Sequence, residues 1–299
     1  MIRNKKKTKF ERGQVFLHIF FALLSLCYIL PLILLISVSF EGHPDQYFRL
    51  IPKEFSTEAY RLVLATPKKI IDAYCVTTFY SITGVLLSLF VMVLFAYALS
   101  RPNFKLKNIL TFLMFFTTLF SGGMVSSYLV NTKLLHLGDN ILIYILPGIM
   151  NAWNVIVIRT YFQNLSKELF ESARLDGASE LIICFRIAVP LSTPVLASVG
   201  FLRFIDAWNN WTTSQIYIKN SRLVSLQYLL KLILDDVEMI KQMIEEGMMH
   251  ESAATVNQIN NLESMRFAMV ILGAGPAMMI FPFFQKYFAK GLTIGSVKG

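Results

Sequence analysis

The stretch ESARLDGASELIICFRIAVP, Glu171 to Pro190, is a polar, helix-forming segment set between two long apolar runs. Helix formers fill Lys167 to Leu175, Asp176-Gly177 interrupts them, and a second helical pattern continues to Ile187 ahead of Pro190. Glycine supplies backbone angles that a larger residue resists, and proline stops a helix because it lacks an amide donor. The stretch therefore predicts two short helices joined at a bend, the second ending at Pro190, held at a membrane face.

The apolar runs on either side fix the class. With 55% hydrophobic and 16% charged residues the 299-residue chain is too apolar for a soluble domain. Six runs are long enough to span a bilayer as helices: Val15 to Phe40, Ala73 to Ser100, Ile109 to Val130, Ile141 to Tyr161, Val195 to Ile218 and Phe267 to Phe284. The fold class expected is an all-α membrane protein with six transmembrane helices. Arg3, Lys5, Lys6, Lys7, Lys9 and Arg12 precede the first run and place the N-terminus in the cytoplasm. Six crossings return the C-terminus to that side, with 16 Lys and Arg inside against 10 outside. The net charge of +9 is thus mostly a topology signal, and nucleic-acid binding is not needed to explain it. The organisation expected is a basic cytoplasmic N-terminus (1–14), a six-helix transmembrane domain (15–284) and a cytoplasmic tail (285–299). The domain carries a cytoplasmic loop at 163–194 and an external loop at 219–264. The first apolar run exceeds the core of a signal peptide and is read as a span rather than a cleaved leader. Cys27, Cys75 and Cys184 are isolated in sequence and suggest neither a disulfide frame nor a metal site.

The 171–190 stretch resembles the cytoplasmic loop of ABC importer permeases, in which Glu-Ala-Ala, three residues, Gly, nine residues and Ile-x-Leu-Pro follow in order. Here stand Glu171-Ser172-Ala173, Gly177 and Ile187-Ala188-Val189-Pro190, with Ser172 for the usual Ala and Val189 for the usual Leu. Phe95 to Arg101, FAYALSR, resembles the end of a core span of the same family. The tail from Gln285 to Gly299 resembles that of the shorter maltose permease subunit and its oligosaccharide relatives. The resemblance implies a type I ABC importer permease fold and a carbohydrate cargo, probably oligosaccharides, moved by alternating access. It also implies a coupling loop in which Glu171, Ser172, Ala173, Asp176, Gly177, Ala178, Phe185, Ile187 and Pro190 meet the ATPase. Leu175 and Ile183 join Ala173 there as apolar packing. Gly291, Leu292, Thr293, Gly295, Lys298 and Gly299 are implied as tail contacts to the same subunit. The partners implied are a second homologous permease, a cytoplasmic ABC ATPase dimer, an external solute-binding protein and membrane lipid, in a bacterial plasma membrane.

No Gly-x4-Gly-Lys-Ser/Thr phosphate loop occurs in the chain, and Ser121-Gly122-Gly123 lies within an apolar run, so it is not read as an ATPase signature. The expectation is a translocation subunit, not an enzyme. It binds no cofactor itself, and ATP and Mg are used by the partner ATPase. For the cargo path the sequence offers Asn151 and Asn154 in the fourth run, and Arg203, Asp206 and Asn210 at helical spacing in the fifth, beside Trp208, Asn209 and Trp211. Intramembrane polar groups normally face a bundle interior or a water-filled path, and an intramembrane Arg needs a partner, here Asp206. The same residues also suit a structural ion pair with tryptophans packed between helices. A peptide, polyamine or phosphate cargo keeps the architecture and stays open here. A channel or intramembrane enzyme is the rival class, but a channel leaves the loop unexplained and no His-Glu-x-x-His occurs.

Overall fold

The computed structural model describes residues 12–41, 49–64, 67–247 and 253–291, and among them the architecture is helical with a single isolated bridge, Glu41 to Phe55. The chain divides into two compact units, Met1–Ala65 with Leu234–Leu272, and Thr66–Ile233 with Gly273–Gly299. In the first, α1 (Arg12–Ser39) runs through Pro31 and leaves its apolar membrane window unburied. Its C-terminal end is tied to α2 (Glu58–Val63): Ser39 Oγ shares a 2.9 Å hydrogen bond with Tyr60 OH, and Phe40 stacks on Phe55 at 5.1 Å. The Glu41 carboxylate accepts from the amides of Lys53 and Glu54, and Ser264 Oγ donates to the Glu41 carbonyl.

The second unit is organised on α3 (Pro67–Ser100), whose 34 residues exceed the length needed to cross a bilayer. It is followed by α4 (Lys107–Leu119) and α5 (Gly123–Leu129), which continues as a π turn to Leu134. Next come α6 (Ala152–Gln163), α7 (Lys167–Leu175), α8 (Glu180–Ile183) and α9 (Val189–Leu191), the last two joined by a π segment, Cys184–Ala188. α10 (Thr193–Trp208) and α11 (Thr212–Tyr217) follow, then α12 (Leu226–Glu245), which belongs to this unit as far as Ile233, and α13 (Ala253–Gly291), which belongs to it from Gly273. The core forms where α3, α6 and α10 pack, around Met92, Ala96, Leu99, Val155, Ile158 and Val199. A second cluster is built on Tyr80 stacked against Tyr144 at 4.3 Å.

Three of the six predicted spans are single continuous helices, and the other three differ in instructive ways. The third run breaks at Ser121-Gly122-Gly123, where the two flanking helices bend by 116°. Gly123, where α5 starts, sits at φ +78°, a conformation that residues with a Cβ resist. The fourth run, 141–161, forms a 3₁₀ turn (Ile141–Tyr144), an irregular stretch through Pro147 and Gly148, and then the 12-residue α6. In the fifth, α9 and α10 meet at an 82° bend and α10 stops at Trp208, short of Ile218. Apolarity alone predicts how much chain can enter a membrane and says nothing of where the helix is interrupted.

The second loop helix also outruns its expected stop. It passes Pro190 and ends at Leu191, because the backbone widens just before the proline: the Val189 amide donates to the Cys184 carbonyl, five residues back. That widening relieves the clash of a proline ring with the preceding turn.

Candidate coupling site

α7 ends in a Schellman motif, which explains the central Asp-Gly of the loop. The Ala178 amide donates to the Ala173 carbonyl and the Gly177 amide to the Arg174 carbonyl, each at 3.0 Å. Gly177 adopts φ +78°, the left-handed position such a cap requires, with open space around it. Ser179 then caps α8, its Oγ accepting from the Ile182 amide. Asp-Gly-Ala-Ser is thus a complete stop-and-restart signal, and the two helices are set at a fixed bend.

The inner side of this loop belongs to the core of the unit. Phe170, Ile183, Cys184 and Ala188 are buried with Met92, Ala96 and Phe162. This corrects one expectation: Ile183 is fully buried in the chain's own core and cannot be packing offered to another subunit. Leu175, at 89% exposure, is offered outward, as are Leu181 and Ile182, and Phe185 is partly exposed while stacking on Phe90. Glu171, Ser172, Asp176 and Pro190 are exposed; Ala173, Ala178 and Ile187 are half-buried against the core. The loop therefore has an anchored face and a free apolar and acidic face.

A polar network completes the anchor. Arg174 Nε donates to Glu180 Oε1 at 2.8 Å, tying α7 to α8, and Tyr97 OH donates to Glu180 Oε2 at 2.6 Å, tying both to the end of α3. The Arg101 guanidinium lies over the rings of Tyr97 and Phe170, 4.7 and 4.0 Å from their centroids. Hydrogen bonds to charged groups and cations on aromatic faces hold best where water is partly excluded. Sequence reasoning did not join these residues. Their signal was present: Tyr97 and Arg101, four apart, share one helix face in the FAYALSR ending.

The candidate cargo path is less unified. Arg203 Nη1 donates to Asp206 Oδ2 at 2.8 Å, as the spacing predicts, while Nη2 donates to the Gly148 carbonyl at 2.6 Å. Arg203 thereby satisfies irregular backbone within an apolar run, which otherwise has no partner in a membrane. Asp206, Asn209 and Asn210 border an open cavity of about 650 Å³ that Thr212 and Thr213 also line. Asn210 lies between α10 and α11, its Oδ1 accepting from the Thr213 amide at 3.0 Å. Trp208 is a core residue at 2% exposure, with Nε1 donating to the Gly273 carbonyl at 2.9 Å. Trp211 faces Lys231, whose Nζ is 5.2 Å from its ring centroid. Asn151 caps α6 by accepting from the Asn154 amide, and Asn154 is buried. Of the tail, Gly291 ends α13; Leu292, Thr293, Gly295, Lys298 and Gly299 lie outside the described residues.

Residues 76–294 match the family model described as binding-protein-dependent transport system inner membrane component. The chain is 35% identical over 284 residues to the polygalacturonan/rhamnogalacturonan transport system permease protein YtcP of Bacillus subtilis (strain 168), covering 94% of this chain and 96% of that one. It is 27% identical to the arabinooligosaccharides transport system permease protein AraQ of the same organism, over 100% of each chain. Among solved structures it is similar to a chain of a bacterial ABC transporter involved in the import of the acidic polysaccharide alginate, with TM-score 0.76 and 28% identity, over 96% of this chain and 100% of that one. The helical architecture is accordingly that of a type I ABC importer permease, a multi-pass protein of the bacterial plasma membrane. Its relatives are transport permeases, so its role is translocation. The chain belongs to the family of binding-protein-dependent transport system inner membrane components.

Proposed function

We propose that this chain is the permease subunit of an ATP-driven importer of sugars, oligosaccharides among them, and that its 163–194 loop couples the spans to a separate ATPase. The observation that carries the reading is the two-faced loop: two capped helices anchored to α3 by Tyr97, Glu180, Arg174 and Phe170, with Leu175 and Ile182 turned outward. Short helices bound rigidly to a span transmit a rigid-body push, whereas a flexible loop absorbs it. Closure of an ATPase dimer would drive the loop and rock α3, α6 and α10 between inward- and outward-facing states. Hydrolysis, with ATP and Mg bound by the partner, resets them. The names of the polygalacturonan/rhamnogalacturonan, arabinooligosaccharide and alginate systems support a saccharide cargo.

The assembly proposed adds a second, homologous permease, a cytoplasmic ATPase dimer and an external solute-binding protein, with both termini of this chain cytoplasmic and 292–299 reaching the ATPase. Asp206, Asn209 and Asn210 are its candidate cargo contacts, since carboxylate and amide groups hydrogen-bond sugar hydroxyls and all three border the open cavity. The test is purification from native membranes followed by uptake of labelled oligosaccharides in reconstituted vesicles. Co-purification of a P-loop ATPase and a second permease, with ATP-dependent uptake, is expected. Purification of the chain alone, or uptake independent of ATP, would overturn the proposal.

A further inference from the structure

Arg101 is left with bonding capacity that nothing in its surroundings uses. Its Nε donates to Ser100 Oγ at 3.0 Å, and its guanidinium lies over the rings of Tyr97 and Phe170. The nearest carboxylate is already engaged, Glu180 Oε2 by Tyr97 and Oε1 by Arg174. Among the described residues neither Nη group of Arg101 has a hydrogen-bond partner. A guanidinium stays charged and presents a planar fork suited to two oxygens of a phosphate or carboxylate.

Beside that fork lies a cavity of about 470 Å³ at the end of α3. Its walls are amphipathic: Leu94, Ala98, Phe104 and Leu181 are apolar, and Arg101 and Arg174 are cationic against the single Glu180 carboxylate. Lys105 and Lys107 follow directly in sequence and add to the positive character of this end. A soluble anion has no use for the apolar wall, and a neutral lipid has none for the unpaired cation. A molecule with both an anionic head and an apolar chain satisfies the two together.

We propose that this cavity binds an anionic phospholipid, with its phosphate on the two Nη groups of Arg101 and an acyl chain along Leu94, Ala98 and Leu181. The bilayer supplies such a ligand at every moment, and its anionic leaflet attracts basic residues next to a span. Because Arg101 packs on Phe170 of α7 and Tyr97 of α3, the bound lipid braces the joint between loop and span.

The test uses the intact transporter in bilayers of phosphatidylcholine with a graded fraction of phosphatidylglycerol, and measures phosphatidylglycerol retained on purification. Arg101→Gln is expected to weaken retention about fivefold, the loss of one cation near an anionic surface. Arg101→Lys, which keeps charge without the fork, falls between. Leu181→Asp, at an exposed wall position outside the core, provides the arm free of any folding defect at Arg101 and is also expected to lower retention. Inorganic phosphate in the buffer should not displace the lipid. Retention unchanged in both Arg101→Gln and Leu181→Asp overturns the proposal. So does displacement of the lipid by inorganic phosphate, which marks a site for free anions. Release of the ATPase by Arg101→Gln with lipid retention intact assigns the fork to a protein carboxylate instead, and also overturns it.

Discussion

The loop at 167–191 and the polar end of α10 were both legible as functional from sequence, yet they are built differently. In the loop, local capping and a distant anchor agree: Gly177 and Ser179 set the bend, and Tyr97, Arg101 and the buried Phe170 fix it to α3. At α10 the helical spacing of Arg203, Asp206 and Asn210 predicts one face, and Asn210 does border the same cavity as Asp206, but the helix ends at Trp208 and Asn210 Oδ1 is engaged by the Thr213 amide. Arg203 is mostly buried and Asp206 is 73% exposed on its side chain, so this pair is half structure and half open surface. Under the proposed function the loop that would transmit the push is fixed on both sides of its bend, while the surface offered to cargo keeps the Asp206 side chain largely exposed.

The largest effect that would break this contrast is at Gly177. Gly177→Ala meets no neighbouring atom, so any loss comes from backbone strain alone, about 1–2 kcal/mol for a left-handed residue. Because that strain acts on the bend itself, ATP-driven uptake is expected to fall tenfold or more while the protein still inserts and purifies. A protease-protection assay checks the insertion and a transport assay the loss.

Next is the anchor. Tyr97→Phe removes one hydrogen bond to Glu180 and Glu180→Gln weakens two; each is expected to lower transported sugar per ATP severalfold with hydrolysis retained. A double mutant no worse than Glu180→Gln shows that the two act as one unit. Equal losses of hydrolysis and transport would instead indicate simple misassembly.

Smaller still is Asp206→Asn. Arg203 keeps its bond to the Gly148 carbonyl and an amide oxygen at 206, so the fold is expected to survive, with the apparent KM for cargo changed a few-fold. An unchanged KM moves the cargo contacts of this unit away from α10.

The smallest effect concerns Asp139, outside the spans. Amide hydrogen bonds from Asn220 and Lys219 hold its carboxyl below the ordinary carboxylate range. A depressed folded-state value means the contact stabilises above the unfolded carboxylate pKa and is lost as pH falls through the lower folded one. Hydrogen exchange at the Lys219 and Asn220 amides should therefore show protection at pH 7 that declines under acid, without change at Gly177.

What the sequence revealed and what it hid follow from the range of the forces involved. Helix stops, caps and membrane-length apolar runs are local chemistry, and Asp176-Gly177-Ala178-Ser179 could be understood in place. The 82° bend at Ser192, the pairing of Tyr97 with Glu180 and the donation from Arg203 to Gly148 depend on chain segments up to 83 residues apart. The split of Trp208 from Trp211 had the same origin. Both are tryptophans beside polar residues, and only the packing of Gly273 against α10 and α12 shows that Trp208 is core.

The central claim is that the free face of the loop carries the push from an ATPase. Site-specific cross-linking in native membranes tests it most directly. Leu175→Cys, at the most exposed apolar position of α7, is compared with Trp153→Cys, an exposed site on α6. The account predicts an adduct of Leu175→Cys with a P-loop ATPase whose yield changes when ATP is added, and no such adduct from Trp153→Cys. An absence of any ATPase adduct at Leu175, with the modified cysteine shown to be reactive, would contradict it.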